Sequence, residues 1–92
     1  MNTFDITWNE KKTRYEGEIL VDNTCKYSKL YIIKTDLNQF YLIIKHKITL
    51  GTNDIIIAHE SDLFDDLDII LVYAEDKYAE ITDMIKLLST SI

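Results

Sequence analysis

The segment from Phe40 to Leu50 limits the choice of fold more than any other part of the chain, because it is the longest stretch of strand-like alternation. Successive side chains of a strand point to opposite faces of a sheet, so alternate residues share a face. One face carries Phe40, Leu42, Ile44, His46, Ile48 and Leu50, and the other carries Tyr41, Ile43, Lys45, Lys47 and Thr49. The segment is therefore predicted to form a long β-strand.

Three shorter strands are predicted ahead of this segment, each bounded by a polar loop or turn. Phe4, Ile6 and Trp8 alternate with polar residues and indicate a first strand, which a polar loop at residues 9–12 follows. Residues 22–24 and 36–39 are rich in the short polar residues that favour turns. Between them, the β-favouring residues from Leu30 to Thr35 predict a third strand. The second strand is predicted to have one face formed by Tyr15, Gly17, Ile19 and Val21 and the other formed by Arg14, Glu16 and Glu18. Consecutive strands with tight turns are typical of an antiparallel meander.

The second half of the chain changes from strand-like to helix-like patterns. Ile55 to Ala58 is predicted to be a short strand, and Ser61 is a suitable N-cap for a brief helix through Asp68. The apolar run Ile69 to Tyr73 fits either a buried strand or a helix, and we favour a strand. The final segment has a helical apolar stripe and a charged outer face. The stripe consists of Tyr78, Ile81, Met84, Ile85 and Leu88, and the outer face carries Lys77, Glu80, Asp83 and Lys86.

An amphipathic helix needs an apolar surface to cover, and one face of the predicted sheet supplies it. With 92 residues the chain fits one domain, and the absence of proline leaves no Pro-rich linker. We therefore predict a single α+β domain over residues 1–92. It would have a mainly antiparallel sheet of four to six strands, with the C-terminal amphipathic helix packed on one face.

The charge of the chain is divided unevenly between its halves. Residues 1–50 contain eight Lys and Arg against six Asp and Glu, a net charge of +2. Residues 51–92 contain two Lys against ten Asp and Glu, a net charge of −8, and the two halves together give the formal charge of −6. Such asymmetry is the most informative functional feature of the sequence.

Nine carboxylates of the second half are predicted to form an acidic outer face. They are Glu60, Asp62, Asp65, Asp66, Asp68, Glu75, Asp76, Glu80 and Asp83. One interpretation is a solvated surface that keeps the protein soluble. The other is a docking surface for a basic protein, because carboxylates spaced along a helix imitate a row of phosphates and speed the encounter with a basic cleft.

No enzyme site is predicted, and neither a cofactor nor a metal ion is expected. Asp62 to Asp68 lacks the glycine and the terminal glutamate of a calcium loop, and His59-Glu60 lacks the second histidine of the zinc motif H-E-x-x-H. Both histidines, His59 and His46, are predicted to be ordinary core or rim residues. Cys25 has no base placed beside it by the sequence, so it is predicted to be an incidental thiol.

Direct binding to nucleic acid is a weaker hypothesis. Cations and aromatic rings alternate in the first half, as they do in sheets on which single strands stack. The cations are Arg14, Lys26, Lys29, Lys34, Lys45 and Lys47, and the rings are Tyr15, Tyr27, Tyr31 and Tyr41. The net charge of −6 opposes binding to phosphates, so no nucleic-acid partner is expected.

The location and function expected from these patterns are those of a cytoplasmic protein-binding module. Met1 to Lys12 lacks the apolar region of a signal peptide. The longest apolar run, Ile69 to Ala74, is too short to span a membrane. The single cysteine, Cys25, favours a reducing compartment. The leading hypothesis is an inhibitor or immunity-type protein that docks its acidic half on a basic protein, and in the finer form of the hypothesis this partner binds nucleic acid. Phage and mobile-element inhibitors, such as anti-CRISPR proteins and nuclease inhibitors, are the analogous class. The alternative is a structural homodimer formed through an edge strand, for which Phe40 to Leu50 is long enough.

Overall fold

The computed structural model describes residues 2–8 and 10–90, and it has an α+β fold of six strands and one helix. Asn9, which belongs to the predicted loop at residues 9–12, lies outside the described residues. The strands are β1 (Thr3–Trp8), β2 (Lys11–Glu16), β3 (Glu18–Thr24), β4 (Ser28–Lys34), β5 (Phe40–Leu50) and β6 (Asn53–Glu60), and the helix is α1 (Leu67–Thr90). The predicted fold class, an antiparallel sheet with a C-terminal helix on one face, is confirmed.

The chain is arranged in three layers, with a four-stranded sheet between a hairpin and the helix. The sheet has the antiparallel order β3-β4-β5-β6, and β1 and β2 form a separate two-stranded sheet. On the helix side, Leu42 and Ile44 of β5 pack in one buried cluster with Ile70 and Ala74 of α1. On the hairpin side, Ile43 packs with Ile6, Tyr31, Ile33 and Tyr41. Both faces of β5 are therefore buried.

The strand bounds Phe40 and Leu50 are confirmed, but the idea that this strand offers an edge for dimer formation is wrong. β5 lies between two neighbours, with β4 paired to Phe40–His46 on one side and β6 paired to Ile43–Leu50 on the other. A central strand has both rows of backbone hydrogen-bonding groups occupied by its neighbours. The outer strands of this sheet are β3 and β6.

The alternation predicts one second strand, but Gly17 divides this segment into two strands, β2 and β3, which belong to different sheets. Its φ is +133°, a backbone conformation that residues with a Cβ rarely adopt, and its N–H donates to the carbonyl of Asn2 at 2.8 Å. The chain turns at this residue and crosses from the hairpin into the main sheet. Tyr15 consequently packs on the hairpin side, whereas Val21 packs on the helix side.

The connection between β6 and α1 also differs from the expectation. Ser61 does not cap a helix: its N–H donates to the Leu42 carbonyl at 2.9 Å, and its Oγ accepts the Leu42 N–H at 2.8 Å. Further along, Phe64 exchanges two backbone hydrogen bonds with Phe40, both of 2.7 Å. These bonds hold the segment in an extended form beside β5, so the predicted helix from Ser61 to Asp68 is wrong. β6 itself is longer than the predicted strand at Ile55 to Ala58.

Helix α1 begins at Leu67 and includes Ile69 to Tyr73, for which a strand was predicted. Asp66 is its N-cap: its Oδ1 accepts the N–H of Asp68 at 2.8 Å and that of Ile69 at 3.3 Å. The apolar run is helical because only one side of it is buried, with Ile70 fully buried and Ile69 exposed. Within the described residues, the helix is too polar to span a membrane.

Candidate functional site

All nine carboxylates of the predicted site are exposed to solvent. Glu60 ends β6; Asp62, Asp65 and Asp66 lie in the connection at residues 61–66; and Asp68, Glu75, Asp76, Glu80 and Asp83 lie on α1. On the helix they form two rows, because residues seven apart lie almost above one another. One row is Asp68 and Glu75, and the other is Asp76, Glu80 and Asp83.

The outer face of α1 is not uniformly acidic, because apolar side chains lie beside these two rows. Ile69 is 57% exposed and Val72 is 59% exposed, and both lie away from the buried stripe that contains Ile70 and Ala74. Exposed aliphatic side chains are common singly, but neighbours on one face form a patch. The surface therefore combines apolar contact area with negative charge.

Most of the nine carboxylates have no cationic partner among the described residues. Glu80 forms an ion pair with Lys77, at 3.2 Å between Oε2 and Nζ. Two others accept hydrogen bonds: Asp66 caps α1, and Asp65 accepts one from Gln39 Nε2 at 3.1 Å. The rest make neither a side-chain hydrogen bond nor an ion pair within the described part of the chain, namely Glu60, Asp62, Asp68, Glu75, Asp76 and Asp83. Their charges are available to an external cation.

An open groove lies where the connection meets the first turns of α1, and we call it the α1 groove. Its volume is about 510 Å³, and it is lined by Phe64, Asp66, Asp68, Ile69, Val72, Tyr73 and Asp76. Phe64 and Tyr73 form an aromatic pair with ring centroids 5.0 Å apart. The backbone bonds between Phe64 and Phe40 hold the first ring in place. The groove thus has an apolar lining and carboxylates along it, which suits an apolar side chain with a neighbouring cation.

His59 supports the aromatic side of the α1 groove from β6. Its Nε2 and the Tyr73 hydroxyl share a hydrogen bond of 2.8 Å. Burial lowers the pKa of His59 below its usual value of 6.5, and the positive charge of Lys77 lowers it further, while Glu80 and Asp62 act in the opposite direction. The folded protein therefore keeps the imidazole neutral to a lower pH than the unfolded chain does.

The stability of the protein is expected to fall as the pH drops from 7 towards 5.5, in part because of His59. The unfolded chain takes up a proton on His59 near pH 6.5, whereas the folded chain does so only at lower pH. In that window the unfolded state binds more protons, so the free energy of unfolding decreases with decreasing pH. Urea unfolding at several pH values should show a shallower decrease in His59→Gln than in the unchanged protein. Equal slopes in the two proteins would contradict this role of His59.

The opposite side of the sheet carries much of the positive charge of the first half. Lys29 Nζ lies 5.5 Å from the centre of the Trp8 ring and donates to the Thr7 carbonyl at 2.8 Å. A groove of about 330 Å³ beside Trp8 is lined by Trp8, Lys11, Lys45, Ile56 and Ala58. This face is not purely basic, because Glu60 lies opposite Ile43 in the register and therefore on the hairpin side as well, away from the carboxylates of α1.

Most of the tyrosines that the sequence suggests for base stacking are packed in the core and cannot contact a nucleic-acid base. Tyr31 and Tyr41 are buried in the hairpin-side core, and Tyr15 is packed against that core. Only Tyr27 of the four is exposed. An exposed stacking platform of the kind that single-stranded nucleic acids need is not formed by these rings.

The remaining chemical candidates do not come together in a reactive arrangement. The Cys25 thiol and Ser28 Oγ share a hydrogen bond of 2.8 Å, which lowers the pKa of Cys25. His46 Nδ1 lies 3.2 Å from the Lys47 carbonyl oxygen, so both histidines have local hydrogen-bonding partners. Within residues 2–8 and 10–90, no three His, Cys, Asp or Glu side chains are grouped so as to hold a metal ion.

The sequence identified the acidic residues but missed the apolar ones between them. The sequence predicts a strand over Ile69, Val72 and Tyr73 and a short helix over Phe64. A helical projection of residues 67–90 would have placed Ile69 and Val72 outside the buried stripe. Comparison of the chain with protein-family models, curated proteins and solved structures finds no significant match.

Proposed function

We propose that this protein is a binding module that docks the acidic outer face of α1 on a basic surface of another protein. The observation that supports the proposal is the α1 groove, an apolar depression along which unpaired carboxylates lie. In the finer form of the proposal, the module is an inhibitor or immunity-type protein of the phage or mobile-element kind, and its partner binds nucleic acid. The free thiol of Cys25 is compatible with action in the cytoplasm.

Charge and apolar area have different parts in this docking. The carboxylates attract a basic surface, which raises the association rate and disfavours acidic partners. Ile69 and Val72 provide contact area that is removed from water on binding, and this area contributes affinity. The complementary surface would present Lys or Arg around one or two apolar side chains. Salt screens the charge contribution, so binding should weaken as salt is added.

The test is a charge reversal that leaves the fold intact. Asp76→Lys with Asp83→Lys removes two exposed carboxylates that make no hydrogen bond or ion pair in the described structure. Asp66 is left unchanged, because loss of its cap would cost about 1 kcal/mol of stability and confuse the result. We expect the double variant to bind the partner more than about tenfold more weakly, since two attractive charge pairs would become repulsive.

The matched control is Glu18→Lys with Asp36→Lys, which changes the net charge equally on exposed residues outside the acidic half. Each immobilised protein is exposed to a nuclease-treated lysate of the cells in which it occurs, at low and high salt. Retained proteins are identified by mass spectrometry, purified and titrated by calorimetry. A basic protein that binds the control and not the α1 variant supports the proposal. Equal binding to both variants, or no retained protein at low salt, contradicts it.

A further inference from the structure

β6 is an outer strand of the main sheet with one unpaired edge. Its eight residues pair in unbroken register with β5, and none of the described strands pairs on its other side. An unpaired edge presents a row of N–H and C=O groups to which another strand can bond. β6 contains no Lys, Arg or Pro and no bulge, and its charged residues, Asp54 and Glu60, lie near its two ends.

The residues whose backbone groups face this open edge follow from the pairing with β5. Ser61 donates its N–H to the Leu42 carbonyl, so Ser61 faces β5. Residues of an antiparallel pair alternate between facing the partner strand and facing away from it. Odd-numbered residues of β6 therefore face β5. The even-numbered residues present their N–H and C=O groups to the open edge: Asp54, Ile56, Ala58 and Glu60.

The other outer strand, β3, is less suited to pairing. Its register with β4 shifts between Ile19 and Val21, which marks an irregularity such as a bulge. Bulges twist an edge and interrupt its row of bonding groups, and natural sheets use them to prevent association. The uninterrupted β6 is the better candidate.

The sequence of β6 is complementary to itself in one antiparallel register. A two-fold axis through Ile56 places Ile56 opposite its own copy, Ile55 opposite Ile57, and Asp54 opposite Ala58, so no like charges lie directly opposite each other. A shift to an axis through Ile57 would place Asp54 opposite Glu60 twice, and like charges directly opposite are destabilising. In the register centred on Ile56, the backbone N–H and C=O groups on the open edge of one copy lie opposite those of the other copy.

We propose that two copies of this chain associate through β6, in antiparallel pairing about a two-fold axis at Ile56. The two sheets become one continuous sheet of eight strands, with both α1 helices on the same side because residues opposite each other share a face. None of the β6 residues that face the open edge lines the α1 groove, and different variants test the two proposals, so either proposal can fail without the other.

The response of this association to salt is opposite to that of acidic docking. The dimer carries a formal charge of −12, twice the −6 of the chain, so the two copies repel each other. Salt screens that repulsion. The attraction between the copies comes from apolar contact and backbone hydrogen bonds, which salt does not screen in this way. Dimerisation should therefore become tighter as salt is added, whereas docking on a basic protein should become weaker.

The first experiment measures the mass of the protein in solution by sedimentation and light scattering over a range of micromolar concentrations. We expect a doubling of the apparent mass as concentration rises. Ile56→Lys places two cations opposite each other and should weaken the dimer more than about tenfold. Leu20→Lys on β3 is the matched control, since Leu20 is 39% exposed and Ile56 37%. A protein that stays monomeric at high micromolar concentration overturns the proposal, and so does loss of the dimer in Leu20→Lys alone.

The second experiment tests the register by oxidation of single-cysteine variants in a Cys25→Ser background. Directly opposed residues of a hydrogen-bonded pair have Cα atoms about 5.5 Å apart, which a disulfide can span. Ile56→Cys should therefore form a covalent dimer. Ala58→Cys should not, because its own copy lies four residues further along the strand, roughly 13 Å away. Covalent dimers of Ala58→Cys but not of Ile56→Cys would overturn the register, and with it the two-fold axis at Ile56.

Discussion

Replacement of Gly17 by alanine is expected to lower the free energy of unfolding by about 3–5 kcal/mol, enough to unfold a marginal domain. The φ of +133° lies in a region that is essentially restricted to glycine and costs other residues about 1–3 kcal/mol. In addition, a Cβ at this position would overlap Ile33 Cγ2 and lie 2.7 Å from the Lys34 carbonyl oxygen. Ile33 is fully buried and cannot move aside easily. Urea unfolding of the purified variant, followed by circular dichroism, measures the loss.

Gly51→Ala is the control that separates local backbone strain from the close contact at Gly17. Gly51 also has a positive φ, +64°, but nothing lies within 4 Å of a Cβ built there. Its replacement should cost only about 1–2 kcal/mol, the ordinary penalty for a left-handed residue with a Cβ. If both variants lost the same stability, the contact with Ile33 and Lys34 would have no energetic effect and the explanation would be wrong.

The second large effect is expected at two consecutive residues of β5. Ile43→Ala and Ile44→Ala should each lower the free energy of unfolding by about 2–5 kcal/mol, the usual range for truncation of a buried isoleucine. The two side chains are 1% and 0% exposed, although they point to opposite faces of the sheet. Ile43 packs against the hairpin and Ile44 against α1. Urea unfolding of each variant gives the values.

These two variants test whether the main sheet is covered on both faces, by the hairpin and by α1, or only on the face that α1 covers. In a sheet covered by the helix alone, one of two consecutive residues would face water, and its truncation would have little effect. Ile55→Ala is the reference for an exposed position, since Ile55 is 40% exposed, and it should cost less than about 1 kcal/mol. A mild effect of Ile43→Ala, similar to that of Ile55→Ala, would show that the hairpin does not protect its side of the sheet.

The parts of the fold that could be predicted are those with one unambiguous period. The alternation from Phe40 to Leu50 gave the bounds of β5, and the helical stripe around Ile81 and Ile85 gave the second half of α1. The alternation could not show that the chain changes sheets at Gly17, because the period of two continues through it from Tyr15 to Val21. Which face such residues occupy depends on contacts with Ile33 and Lys34, far along the chain.

The start of α1 was predicted wrongly for a different reason. Ser61 has the right side chain for an N-cap, but β5 offers its backbone a better partner at Leu42, and a tertiary hydrogen bond overrides the local preference. Once the helix begins five residues later, at the Asp66 cap, Ile69 and Val72 turn outward. The charge of the candidate site could therefore be predicted from composition. Its apolar groove could not, because it depends on where the helix starts.

Each of the six described strands pairs with a strand that directly precedes or follows it in the chain. Among the described strands, no pairing requires a long excursion of the backbone to be closed before it gains hydrogen bonds, so strand pairing is local for a protein rich in β-structure. Folding rates increase as contact order decreases, and the chain should therefore reach its native state faster than sandwiches and barrels of similar length. Rapid passage through partly formed sheets shortens the time during which the row of isoleucines in β6 is exposed to aggregation.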